Sequence, residues 1–224
     1  MLNQGSVWIV TPSSVEAEAL QGLALPAPLH RTGVGALATL NTLWELWQES
    51  PAAGLLVLGI AGSYRRELPP GQVVRVRSEI EGATGRRYPR RFLPTSPALR
   101  GKVPLAWENP SSPPSLDLPA VTGLTLPLVS LTPNEVRYWR RAYPTADIET
   151  QENAAYFLFA WSRRIPLLVV RSISNRVGSR RWDKDLALQA LRTFAERHVA
   201  PICRWLLASA PPPPSGRTLG GWGL

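Results

Sequence analysis

Residues Asp147 to Trp182 read DIETQENAAYFLFAWSRRIPLLVVRSISNRVGSRRW, and this stretch decides the fold. Glu152 stands at the head of an apolar helical run from Ala154 to Trp161. A strand of buried type follows, from Ile165 to Arg171, and leads into a polar cluster of Ser172, Ser174 and Asn175. In open α/β sheets, ligands bind where strands end and helices begin. The segment therefore sets one carboxylate and one amide at such an edge.

Working outward, the chain alternates strands and helices. Val7 to Val10 reads as a buried strand, Thr11-Pro12-Ser13-Ser14 as a capping turn and Val15 to Leu23 as a helix. His30 to Val34 leads into the pair Gly33 and Gly35. A helix from Ala36 to Gln48 then carries Leu37, Leu40, Leu43 and Trp47 on one face. Gly54 to Gly59 reads as a strand running into a glycine-rich turn, Gly59-Ile60-Ala61-Gly62-Ser63. Gln72 to Val76 and Leu124 to Ser130 read as further strands, separated by a Pro-, Ser- and Arg-rich loop from Arg86 to Pro119. Thr132-Pro133-Asn134-Glu135 is a capping box with Pro at the first helical position, predicting a helix to about Ala142. Helices over Glu152 to Arg163 and Asp183 to Leu207 complete the body. The expected fold class is α/β: a single domain over 1–209, with a central mixed sheet flanked by helices. The Pro- and Gly-rich segment 210–224 reads as an extended or flexible extension.

Composition narrows the functional classes. At 224 residues and 44% hydrophobic, the chain suits one domain with a substantial core. Cys203 is the single cysteine, which excludes an internal disulfide and fits a reducing cytoplasm. His30 and His198 have no metal-ligand spacing around them, so no metal site is expected. No basic leader with a long apolar core opens the chain. No apolar run approaches the roughly 20 residues that span a bilayer. The net charge of +9 comes almost wholly from Arg, in doublets such as Arg65-Arg66, Arg90-Arg91, Arg163-Arg164 and Arg180-Arg181. These are scattered rather than gathered on one helix or interleaved with aromatics, so nucleic acid is not the expected partner.

The motif RSISN, followed by xVxxR and Trp182, resembles the nucleoside phosphorylase and nucleosidase superfamily, and within it most the futalosine hydrolases. The resemblance runs from about Val7 to Leu191. It is strongest at 147–182, weaker at 7–20 and 54–76, and weakest at 86–130. It implies a nucleoside phosphorylase/hydrolase-like fold, no metal or organic cofactor, a purine nucleoside as ligand and a homo-oligomer.

Site residues follow from the same resemblance. In TPSSVEAEAL, Glu16 falls on the glutamate that activates the attacking water; the local alternative for Glu16 and Glu18 is a helix-start acid favoured by the dipole. Ile60, Ala61 and Gly62 fall on the segment lining the base and ribose pocket. Glu152 falls on the glutamate that accepts hydrogen bonds from the ribose hydroxyls, as a carboxylate can from both at once. Gln151 stands where many relatives have Met against the sugar, and Asn153 where they have Gly or Ala. Asp147 and Glu149 read as surface or capping groups. Asn175 falls on the residue that contacts the base, with Ser174 beside it as a substrate-binding residue; the local alternative for Asn175 is closing a turn. An amide donates to a 6-oxo group and accepts from a protonated N7, so Asn175 favours hypoxanthine over adenine as leaving group. Arg171, Arg176, Arg180 and Arg181 are candidates for a substrate carboxylate, with a solvated loop as the alternative for each. Tyr156 and Trp182 read as core, with a pocket wall as the alternative.

The implied activity is hydrolysis of the N-glycosidic bond of a purine nucleoside. Futalosine is the favoured substrate, giving hypoxanthine and dehypoxanthine futalosine in menaquinone biosynthesis. The alternatives are a methylthioadenosine/adenosylhomocysteine-type nucleosidase, a purine nucleoside phosphorylase, a degenerate nucleoside-binding protein and a basic nucleic-acid-binding protein. The loop Thr11 to Ser14 offers no arginine for phosphate, which favours water as nucleophile.

Overall fold

The computed structural model describes residues 5–82, 84–101, 103–109 and 112–210. In chain order the elements are β1 (Val7–Thr11), α1 (Ser14–Ala19), β2 (Leu29–Arg31), α2 (Ala36–Glu49), β3 (Gly54–Ser63), β4 (Val73–Glu81), β5 (Gly85–Arg87) and β6 (Phe92–Pro94). A short 3-10 turn, Pro97–Leu99, precedes β7 (Ala106–Glu108), β8 (Ala120–Thr125), α3 (Pro133–Ala142), β9 (Ile148–Thr150), α4 (Asn153–Arg163), β10 (Leu167–Arg176) and α5 (Lys184–Ser209). The extension from 211 onward lies outside the described residues.

The main sheet is mixed. β3 runs parallel to β1 and β10, and β8 parallel to β4 and β9. β10 pairs antiparallel with β4, and β9 antiparallel with the end of β3. These pairings close a ring, β3–β10–β4–β8–β9 and back to β3. α2 and α4 cover one face of the sheet over Val57, Val74, Val76, Val121 and Val169. α5 covers the other over Ile9, Leu56, Leu58, Leu168 and Val170. Successive side chains of a strand point to opposite faces, so continuous apolar runs such as Leu55 to Leu58 and Leu167 to Val170 supply both cores at once. A third cluster, Tyr64, Phe92, Leu124, Leu126, Tyr143, Ala146 and Val177, packs under α3.

Several sequence expectations need correction. β3 does not end at Gly59: the residues read as a glycine-rich turn, Ile60, Ala61 and Gly62, continue the strand. β10 likewise passes Arg171 and runs to Arg176. The reason is mutual pairing, which runs from Leu55 and Leu167 to Ser63 and Arg176 with one slip on the way and supplies backbone partners that glycine-rich and polar stretches do not advertise. α1 stops at Ala19 rather than Leu23, with Leu20 drawn into the core as its cap. β8 spans Ala120–Thr125, earlier than read, because Arg75 to Glu81 of β4 fix its register. Leu37 does not share the buried face of α2; it is 85% exposed, whereas Leu43 is fully buried. The capping box at Thr132 and Glu135 forms as read. The middle region carries β5, β6 and β7, and β7 joins the main sheet beside β4.

The arginines are engaged separately over the surface. Arg163 lies over Trp44 and Trp47, 4.3 and 5.2 Å from the ring centroids. Arg87 lies over Tyr138, and Arg65 pairs with Asp147. No helix among the described residues is long and apolar enough to cross a membrane.

Candidate active site

Two parallel neighbours, β3 and β10, carry most of the residues singled out by the sequence to one end of the sheet. Arg171 stands opposite Gly59, Ser172 opposite Ile60, Ile173 opposite Ala61, and Asn175 opposite Gly62. The register slips between Ile173 and Asn175, so Ser174 is the extra residue of a β-bulge. Bulges re-aim side chains next to functional sites. Here Ser174 Oγ has two acceptors in reach of its one proton, the Ala61 carbonyl at 3.2 Å and Asn175 Oδ1 at 2.9 Å. The half-buried Asn175 donates from Nδ2 to the Arg176 carbonyl at 3.1 Å.

Glu16 reaches this edge from α1. Ser13 caps the helix, and its backbone N–H and hydroxyl donate to Glu16 Oε2 at 2.9 and 2.6 Å. The other oxygen, Oε1, accepts from the Ile60 N–H at 2.9 Å and lies 4.0 Å from Arg171 Nη1. Glu16 is therefore a helix-start acid and also the tie between α1 and β3, buried to 4% exposure.

Glu152 arrives from the other side, as the residue preceding α4. Its Oε1 accepts from Arg171 Nη2 at 2.9 Å, and the Gly35 backbone N–H also faces its carboxylate. Gly35 sits in the TGVG turn, where Gly33 and Gly35 adopt φ of 88° and 90°, values that a residue with a Cβ tolerates poorly. Burial raises the Glu152 carboxyl above its ordinary value, against the pull of Arg171 and with the push of Glu16. Tyr156, one turn into α4, is fully buried and shares a 2.6 Å hydrogen bond with Thr32. Burial, then the nearby Glu152, raises its phenol above the ordinary range.

Arg171 lies fully buried at the centre of the cluster, which corrects its reading as a candidate for a substrate carboxylate or a solvated loop residue. Its Nε and Nη2 donate to Asn153 Oδ1, and Nη2 also donates to Glu152. Nη1 alone has no hydrogen-bond partner among the described residues, and Glu16 is its nearest carboxylate. Burying a guanidinium costs several kcal/mol unless charge and hydrogen bonds compensate, which Glu152, Asn153 and Glu16 do here. Space is made by Gly59, where a Cβ would overlap Arg171 Nη1 and come within 2.9 Å of Glu16 Oε1. The signal was present in the sequence: a lone arginine inside the apolar run LLVVRSI.

Other predicted residues fall outside this cluster. The Gln151 side chain turns away and donates to the Pro127 carbonyl at 2.9 Å. Glu149 and Asp147 are buried rather than superficial. Glu149 accepts from Tyr64 and from the Ser130 N–H and hydroxyl, both at 2.7 Å; Asp147 accepts from the Thr122 N–H at 2.9 Å. Both fasten β9 to its neighbours. Trp182 is 59% exposed, not core. Arg176 and Arg180 are exposed.

Comparisons with known proteins bear on the fold and on the resemblance. No family model matches the chain. In sequence it is 29% identical over 189 residues to the futalosine hydrolase of Thermus thermophilus, an alignment covering 75% of this chain and 79% of that protein. In structure it is similar to a futalosine hydrolase mutant of Helicobacter pylori, with a TM-score of 0.68 at 12% identity, over 91% of this chain and 98% of the other. It is also similar to the S-adenosylhomocysteine nucleosidase of Streptococcus pyogenes in complex with 5-methylthiotubericidin. There the TM-score is 0.65 at 16% identity, over 87% of this chain and 98% of the other. The resemblance read from RSISN is borne out: this chain shares its fold with these nucleosidases and is similar in sequence to a futalosine hydrolase.

Proposed function

We propose that this chain hydrolyses the N-glycosidic bond of a purine nucleoside, with futalosine as the preferred substrate. The observation that carries the reading is the buried trio of Glu16, Arg171 and Glu152 at one end of β3 and β10, a few residues along from Asn175. Asn175 stands three residues beyond Gly59 in the register, about 10 Å along the strand at ~3.3 Å per residue. That span fits a nucleoside with its sugar toward Glu152 and its base toward Asn175.

In this reading Glu16 takes a proton from the attacking water. The unpartnered Arg171 Nη1 holds that water against Glu16. Glu152 accepts from the ribose hydroxyls and stabilises the oxocarbenium-like sugar. Asn175 meets the departing base, its amide donating to a 6-oxo group as charge builds there. Ile60, Ala61 and Gly62 form the wall between them. The products are hypoxanthine and dehypoxanthine futalosine, which places the reaction in menaquinone biosynthesis. The similarity to the Thermus thermophilus futalosine hydrolase supports that choice of substrate.

We also propose a homo-oligomer acting in the cytoplasm. Leu37 and Trp44 share one face of α2, and Trp161 lies on the adjacent α4; they are 85%, 48% and 51% exposed. Apolar surface of this kind suits a partner copy, and light scattering on the purified protein tests it. The activity is tested by incubation with futalosine, inosine and methylthioadenosine, with and without phosphate, reading released base by chromatography. Release of hypoxanthine from futalosine at a rate indifferent to phosphate is expected. A sugar-1-phosphate product would overturn the hydrolytic reading, and no release from any of the three would overturn the function.

A further inference from the structure

Behind Arg171 lies a second buried layer. Glu79 has no solvent exposure and sits on β4, where the alternation RVRSE would group it with Arg75 and Arg77 on the outer side. The register of β4 on β8 slips between Val76 and Ser78, so Arg77 is a bulged residue. The slip returns Glu79 to the face shared by Val76, Val121 and Gly123. There Thr125 Oγ1 donates to Glu79 Oε1 at 2.8 Å, while itself accepting from the Ala154 N–H at 2.8 Å. Glu79 Oε2 and Asn153 Nδ2 both border the space above Gly123, where a Cβ would overlap the carboxylate oxygen. Neither Glu79 Oε2 nor Asn153 Nδ2 has a hydrogen-bond partner within bonding distance among the described residues, so two buried polar groups of complementary kind face each other across this space, while Asn153 Oδ1 holds Arg171 on the other side.

We propose that Glu79 is a positioning residue for hydrolysis: its carboxyl fixes the Asn153 amide, and that amide fixes Arg171 between Glu152 and Glu16. This rests on the reading of the site as a nucleosidase. An asparagine amide can face either way, and a carboxyl behind it decides which end meets the guanidinium. With Glu79 in place, Nδ2 points back and Oδ1 forward, and Arg171 is left with one free nitrogen, Nη1, turned toward Glu16. The charged groups facing Glu79 are Arg171 from β10 and Glu152 from the head of α4; Thr125 from β8 adds a hydrogen bond, and Asn153 from α4 presents its amide to the carboxyl. Burial pushes the Glu79 carboxyl up to about 8, against the pull of Thr125, Asn153 and Arg171. Neutral, it leaves one guanidinium shared by two carboxylates. Ionised, it becomes a third carboxylate competing for Arg171 and drawing it off the Glu16 side.

The test is kcat and KM against pH for wild type, Glu79→Ala, Glu79→Gln, Asn153→Ala and the double Ala variant, on whichever of futalosine, inosine and methylthioadenosine the wild type cleaves. Glu79→Ala should lower kcat about 10–100-fold with KM nearly unmoved. Glu79→Gln, neutral and of the same shape, should restore most of that loss at pH 7. Wild-type kcat should fall as pH rises through about 8, and Glu79→Gln should lack that alkaline limb. In the Asn153→Ala background, Glu79→Ala should cost little more, because both act through one contact chain. A limb that persists in Glu79→Gln, a wild type without one, or additive losses in the double variant would overturn the proposal while leaving the nucleosidase reading intact. A wild type that releases no base overturns both.

Discussion

Replacing Glu79 by Gln should stabilise the fold, and by an amount that depends on pH in a way the structure dictates. The Glu79 carboxyl is raised from 4.5 to about 8 because burial disfavours its charged form. A carboxyl raised on folding leaves stability intact below its unfolded value and drains it as pH climbs toward its folded value. Each unit is worth about 1.4 kcal/mol, so the drain reaches about 3 kcal/mol at pH 7 and approaches about 5 kcal/mol above pH 8. Gln removes the ionisation and keeps the shape, an acceptor for Asn153 and a group to meet Thr125. Below about pH 4.5 the two proteins should therefore differ by no more than about 1 kcal/mol, the scale of one altered hydrogen bond. At pH 7 the variant should be the more stable by about 3 kcal/mol. Titrating groups remote from Glu79 are common to both proteins and cancel in the difference, and Glu152, which faces Glu79, cancels while Glu79 stays neutral. The assay is urea denaturation of both proteins at a series of pH values, with equal m-values required for the subtraction. A stability difference that stays flat from acid to neutral pH would refute the reasoning, since it would mean that Glu79 is already ionised in the folded protein.

Four further outcomes are expected. Glu16→Gln should bind substrate but lose about 10²–10⁴ in kcat, read by steady-state kinetics; a near-normal kcat would leave Glu16 only its role as a tie between α1 and β3. Gly59→Ala drives a methyl into the Arg171 guanidinium, and displacing a buried ion-pair partner costs about 3–5 kcal/mol; chemical denaturation showing a loss under 1 kcal/mol would mean that Arg171 has room to move. Asn175→Asp should weaken turnover of 6-oxopurine nucleosides and relatively improve that of 6-aminopurine ones, and an unchanged ratio of kcat/KM would move base recognition elsewhere. Arg164 ends α4 in the left-handed region at φ 56°. Arg164→Gly should therefore gain about 1 kcal/mol in the same denaturation assay.

The sequence by itself determined the elements whose cause is local. Thr132, Pro133 and Glu135 start α3 with groups that reach one another within one turn. The runs Leu55 to Leu58 and Leu167 to Val170 are apolar on both faces, which only strands covered on both sides can use. Glu16 and Glu152 were legible because each sits at a helix start, in a motif that resembles a family. Tertiary structure decided the rest, wherever the cause lies far along the chain. Ile60 to Gly62 and Ser172 to Asn175 have the composition of turns, yet each is strand because the other supplies its hydrogen-bond partners. Arg171 reads as the charged end of a strand, and only Asn153, Glu152 and the missing Cβ at Gly59 make its burial possible. Glu79 is the sharpest case. Strict alternation assigns it to the outer face with Arg75 and Arg77, and a one-residue slip against β8 turns it inward. A bulge is a property of two strands in contact, so it leaves no mark in the sequence of either one.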